Sequence, residues 1–177
     1  MKKLIVVAVA VVMMMGLAGS AFAAGNSLNQ GAFGLSVGFN NLSSFPNGME
    51  NTIIGKFLIS SDLAFIGGFG FVNASGDDAT GDGTDLSLVI GVRKYLKKDD
   101  FAPFAEGLLV YMTQDSTARD TIGVLANFGA EYFLHKQFSF EGSVGVGLFN
   151  VETNTGPNAD STILGTTSLG LRANFYF

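Results

Sequence analysis

The sequence has 177 residues, 47% of them hydrophobic, with 24 glycines, no cysteine, no tryptophan and a formal charge of −5, which is enough for one domain and hardly for two. Only 14% of the residues are charged and the mean hydropathy is +0.37, which excludes a disordered chain, and ten Lys and Arg are too few for a nucleic-acid binder. Without cysteine there is no disulfide scaffold, thiolate metal site or thiol nucleophile, and the single His135 leaves little for acid/base chemistry.

In chain order, the first element is a secretory signal peptide over residues 1–23. Lys2 and Lys3 form its basic start, Leu4 to Met15 its apolar run, and Ala21-Phe22-Ala23 the small-x-small cleavage pattern. The run is short for the ~20 residues of a spanning helix, and Gly16, Gly19 and Ser20 interrupt it. Loss of Lys2 and Lys3 leaves eight basic residues against fifteen acids, a mature charge of −7.

Residues 24–177 have no long apolar block and no helical period. Short alternating segments separated by Gly, Asn, Asp and Ser clusters predict eight strands: Gln30–Phe39, Thr52–Ile59, Leu63–Val72, Asp85–Leu96, Ala102–Met112, Thr121–Leu134, Phe138–Phe149 and Thr162–Phe177. One parity is bulky and apolar, as in Phe65, Phe69 and Phe71, or Leu88, Ile90 and Val92. The other is small or polar, as in Gly68 and Gly70, or Ser143, Gly145 and Gly147. A soluble barrel turns its large residues inward and carries exposed Lys, Glu and Thr outside, so a bulky face opposite a Gly/Ser face predicts lipid outside and a narrow interior within.

The connections alternate as well. Residues 40–51, 73–84, 113–120 and 150–161 are long and polar, whereas 60–62, 97–100 and 135–137 are short. Outer-membrane barrels place long loops outside and short turns on the periplasmic side, with an even strand count. Closure follows because an open sheet edge in hydrocarbon would leave backbone groups unpaired. The expected fold is therefore all-β, an eight-stranded antiparallel up-and-down transmembrane barrel.

Six ionisable residues fall on the inward parity: Lys56, Arg93, Glu106, Glu131, Glu141 and Arg172. Each lies a few residues from the periplasmic end of its strand, so they form one layer, and an eight-stranded barrel is narrow enough for them to meet. A neutral ion-pair network is expected, with Arg93 beside Glu106, Arg172 facing Glu141, Lys56 nearer the far wall, and a cation between Glu131 and Glu141. Such a layer plugs the lumen, or else lines a gated ion path. Strand five is ambiguous, because an inward Glu106 also turns Phe104, Leu108 and Val110 inward; a bulge near Pro103 or Gly107 would change this.

Several segments resemble the small eight-stranded outer-membrane barrels of the OmpA/OmpX type and, more loosely, the outer membrane protein β-barrel domain family. They are Ser61-Asp62-Leu63-Ala64-Phe65, Gly91-Val92-Arg93-Lys94-Tyr95-Leu96, Pro103-Phe104 and Gly129-Ala130-Glu131-Tyr132-Phe133-Leu134. The last strand resembles the C-terminal insertion signal of that family, with Leu169, Leu171, Phe175 and Phe177 at its apolar positions. The resemblance implies recognition by the barrel-assembly machinery, and it covers the whole mature chain.

The long connections and their flanks carry Glu50, Asp77, Asp78, Asp82, Asp85, Asp115, Asp120, Glu152 and Asp160 against Arg119 alone. This acidic rim suits solvated loops, divalent-cation bridging to lipopolysaccharide phosphates, or a basic partner. Asp78, Asp82 and Asp85 have Ca²⁺-type oxygens but lack EF-hand spacing and its terminal Glu, so no metal site is expected. His135 falls in a periplasmic turn and no GxSxG elbow occurs, so neither catalysis nor a cofactor is expected. The expected protein is a monomeric barrel of the Gram-negative bacterial outer membrane, exported through the periplasm, with lipids and lipopolysaccharide around it, no nucleic-acid partner, and a structural or surface-interaction role. The alternatives are a narrow pore or conduit for ions or small hydrophobic compounds, as in OmpW-type barrels, and a soluble ligand-binding barrel.

Overall fold

A computed structural model describes residues 27–38, 52–74, 83–114, 119–153 and 160–177. The signal-peptide region and most of the residues expected in the long connections lie outside these. Eight strands follow in order: β1 (Phe33–Gly38), β2 (Thr52–Leu58), β3 (Leu63–Ala74), β4 (Gly83–Tyr95), β5 (Phe101–Gln114), β6 (Arg119–His135), β7 (Phe138–Thr153) and β8 (Ser161–Tyr176). Each pairs antiparallel with the next, and β1 pairs with β8, which closes the barrel. Every strand thus finds two partners, the condition that lets β-structure exist without a free edge.

Short turns close one end, here called the lower end. Ile59 and Ser60 donate backbone hydrogen bonds to the Leu63 carbonyl, and Leu96 donates to Pro103. Residues 27–32 run beneath the barrel rather than extending β1 back to Gln30 as expected. They are fixed by the Gly31 amide bonding the Leu58 carbonyl and by the Ser27 hydroxyl donating to the Lys136 carbonyl. Gly31 has φ +87°, a left-handed conformation that favours glycine at this turn.

At the other end strands β3 to β8 run past the expected limits. Thr113 pairs with Asp120 and Gln114 with Arg119, so much of the connection expected over 113–120 is ladder. The flanks of 73–84 and 150–161 are strand as well.

Alternation directs the outer face. Phe65, Phe69 and Phe71 on β3, Leu88, Ile90 and Val92 on β4, and Ile122, Val124, Phe128 and Tyr132 on β6 are all exposed. β8 departs from a single parity. Ser143 pairs with Gly170 but Gly145 with Thr167, so two β8 residues stand opposite Val144. The bulge reverses the face of the strand: Leu164 points out above it, Leu171 and Phe175 below it. β5 has no such irregularity, and its ladder with β4 and β6 is unbroken.

An inner face of small and polar residues, the sequence-based expectation, holds only in part. Two apolar clusters occupy the interior. Leu28, Leu58, Ala64, Tyr95, Ala102, Phe104, Phe133 and Tyr176 fill the lower end. Ile54, Ile66, Val89, Leu108, Val110, Met112, Leu125 and Phe149 fill the space higher up. Inward glycines make room for the large rings. A Cβ at Gly123 or Gly147 would lie 2.2 or 2.3 Å from the Phe149 ring, and one at Gly129 would lie 2.6 Å from Phe104.

Candidate functional site

Between the two apolar clusters lies a layer of charge. On β2 the inward sequence is Leu58, Lys56, Ile54; on β5 it is Phe104, Glu106, Leu108. The same alternation that builds the clusters therefore sets one ionised side chain between apolar neighbours. Lys56, Arg93 and Arg172 supply three cations; Glu106, Glu131 and Glu141 supply three carboxylates, all buried. The carboxylates stand on the contiguous wall β5–β7, and the cations come from β2, β4 and β8.

Arg93 is the centre of the layer. It pairs with Glu106 at 2.5 Å, with Glu141 at 2.6 Å and with Glu131 at 3.5 Å. Its guanidinium also lies 3.6 Å from the centroid of the Phe104 ring, a stacked cation–π contact. Arg93 and Glu106 are direct partners in the β4–β5 ladder, as Glu141 and Arg172 are in β7–β8, where the ion pair is 3.0 Å. Lys56 rises from the opposite wall and crosses the lumen to Glu131 at 3.1 Å and Glu141 at 3.0 Å. Glu131 and Glu141 are themselves ladder partners, so Lys56 and Arg93 together separate two like charges.

Polar side chains beyond the six expected charges complete the layer. Tyr95 and Tyr176 each donate a hydroxyl to Glu131 at 2.7 Å, and Ser139 donates to it as well. Asn174 donates to Glu131 at 3.1 Å and to Glu141 at 3.2 Å, and accepts from Ser36. Asn127 donates to Glu106 at 3.1 Å. Their signal was parity: Tyr95 lies two residues from Arg93, Ser139 two from Glu141, and Asn174 and Tyr176 two and four from Arg172. Burying six charges is tolerable only when each is paired and its remaining hydrogen-bonding capacity is filled. Each of the six has an oppositely charged partner, and the layer carries no net charge.

The remaining candidates do not join this layer. Leu171, Phe175 and Phe177 of the expected insertion signal are exposed on the outer face, while the side chain of Leu169 lies outside those described. Of the candidate metal loop, Asp78 and Asp82 lie outside the described residues and Asp85 stands near the top of β4. Among the described residues no group of three His, Asp or Glu could hold a metal ion. Asp120 and Glu152 are ladder partners near the upper end. His135 ends β6, exposed, with its Nδ1 accepting from the Gln137 amide. At the lower rim Asp62 accepts from Lys94 and Ser60, and the lysine contact, the larger cause, holds its carboxyl below the usual range.

Neither a protein-family model nor a curated protein matches the chain. Among solved structures, it is similar to the outer membrane protein OprG from Pseudomonas aeruginosa, with 12% identity, a TM-score of 0.46, and coverage of 86% of this chain and 98% of that one. It is also similar to a major outer membrane protein from Thermus thermophilus, with 15% identity, a TM-score of 0.40, and coverage of 82% and 99%.

Proposed function

We propose that the protein is a small integral β-barrel of the OmpA/OmpX type in the bacterial outer membrane, monomeric, with a closed lumen and a structural or surface-interaction role. The observation that carries the reading is the outer belt of exposed apolar side chains. On β5 the outward residues run from Phe101 to Tyr111, which at ~3.3 Å per residue and a strand tilt of about 40° spans ~25 Å, the height of an outer-membrane apolar band. A soluble protein rarely exposes so large a contiguous apolar surface.

The lumen supports the closed form. An ion crossing it would meet charged groups already matched to one another, with an apolar cluster on each side. The role is one of presenting the upper rim and anchoring in lipid, with lipopolysaccharide as neighbour and the β8 outer face as the segment read during assembly; no catalytic role is assigned to His135. Membrane fractionation with heat-dependent gel mobility tests the location, and planar-bilayer recording tests the lumen. A membrane-bound, heat-modifiable protein without conductance is expected. A detergent-independent soluble protein would overturn the location, and steady single-channel currents would favour the conduit.

A further inference from the structure

Among the described residues, β1 of the β1–β2 hairpin is the one strand that brings no side chain to either apolar cluster. Its inward positions are Gly34, Ser36 and Gly38, which bring no apolar side chain to the interior. Among the described residues, the seam that closes the barrel runs from Gly34 opposite Tyr176 to Gly38 opposite Arg172, with the Phe177 amide donating to the Phe33 carbonyl below it. β2 contributes Ile54 and Leu58 to the apolar clusters, contacts that tolerate sliding because they have no direction. Among the described residues, the one ionised side chain that this hairpin sends into the lumen is Lys56.

We propose that Lys56 is a strut that ties the β1–β2 hairpin to the opposite wall and thereby keeps the first-to-last seam closed. Its ammonium is fully buried and held by Glu131 of β6 and Glu141 of β7. It also lies 5.1 Å from the centroid of the Tyr176 ring of β8, on the other side of the seam. Both carboxylates have other partners besides it. Without Lys56, Glu131 keeps the hydroxyls of Tyr95 and Tyr176 and the Asn174 amide, and Glu141 keeps Arg93 and Arg172. Loss of the strut therefore frees the hairpin while the β4–β8 wall stays bonded. The inference stands on barrel geometry alone, whatever the outer surface presents.

Amide hydrogen exchange on the full chain in detergent micelles tests it, with Lys56→Met and the charge-balanced Lys56→Met/Glu131→Gln. The second variant keeps the layer neutral, so it remains informative if the first does not fold. In both, amides of residues 33–38 and 172–176 should exchange about tenfold faster or more, with β5–β6 amides unchanged, because local opening draws on local contacts. Uniform acceleration in all strands, unchanged exchange at the seam, or recovered protection in the double variant would overturn the strut.

Discussion

The charged layer and the apolar cluster above it occupy the same lumen, on the same strands and the same parity, yet they hold the barrel in different ways. The layer is a set of named partners: Arg93 with three carboxylates, Glu131 with donors from four strands. Removing one partner leaves another buried charge facing its like. The cluster has no such pairings, and its order comes from shape, in particular from glycines that vacate the volume taken by Phe149. A narrow barrel can thus be specified by chemistry at one level and by volume at the next.

The most disruptive way to break this contrast is Arg93→Ala. Glu106 and Glu141 lose their nearest cation, and an unpaired buried partner typically costs about 3–5 kcal/mol. The urea unfolding midpoint of protein refolded in detergent should fall accordingly; a midpoint equal to that of the unsubstituted chain would remove the layer from the account of stability. Next comes Gly147→Ala. Its Cβ would meet the Phe149 ring at 2.3 Å, and overpacking of this kind costs about 1–3 kcal/mol. Adding Phe149→Leu should recover part of that loss, as a volume conflict requires and a backbone defect would not allow.

The smallest effect belongs to Asp62→Asn at the exposed lower rim. Because the folded carboxyl titrates below its ordinary range, the Lys94 contact stabilises the fold at neutral pH and loses that contribution as pH falls through the carboxylate range. The midpoints of the two proteins should differ slightly at neutral pH and low salt and merge in acid or high salt. A difference that persists at high salt would mean that the pair is shielded.

Much of this was legible in the sequence because β-strands encode their faces with a period of two. Glycine and serine opposite phenylalanine marked the outer surface, and six charges on the inner parity marked the layer. Strand five resisted, since Leu108, Leu109 and Val110 are apolar on both faces. A bulge looked necessary only if the lumen had to be polar. The unbroken register shows that the lumen is apolar there, with Leu108 and Val110 buried and Leu109 exposed. The β8 bulge was hidden for a different reason: around Thr166, Thr167 and Ser168 the polar run carries no alternation to reveal a change of face. Tyr95, Tyr176 and Asn174 around Glu131 share a parity with the charges, but a pattern built on charge alone passes over them.

The division of the tyrosines has an optical consequence. The chain has four tyrosines and no tryptophan, so its near-ultraviolet signals at wavelengths longer than the phenylalanine bands come from tyrosine. Tyr111 and Tyr132 are exposed on the outer surface, whereas Tyr95 and Tyr176 are buried with their hydroxyl oxygens 3.4 Å apart over Glu131. The first pair reports the solvent around the barrel and the second reports the lumen. Circular dichroism of the second pair, fixed in an asymmetric setting, becomes a label-free readout of whether the lower interior has formed.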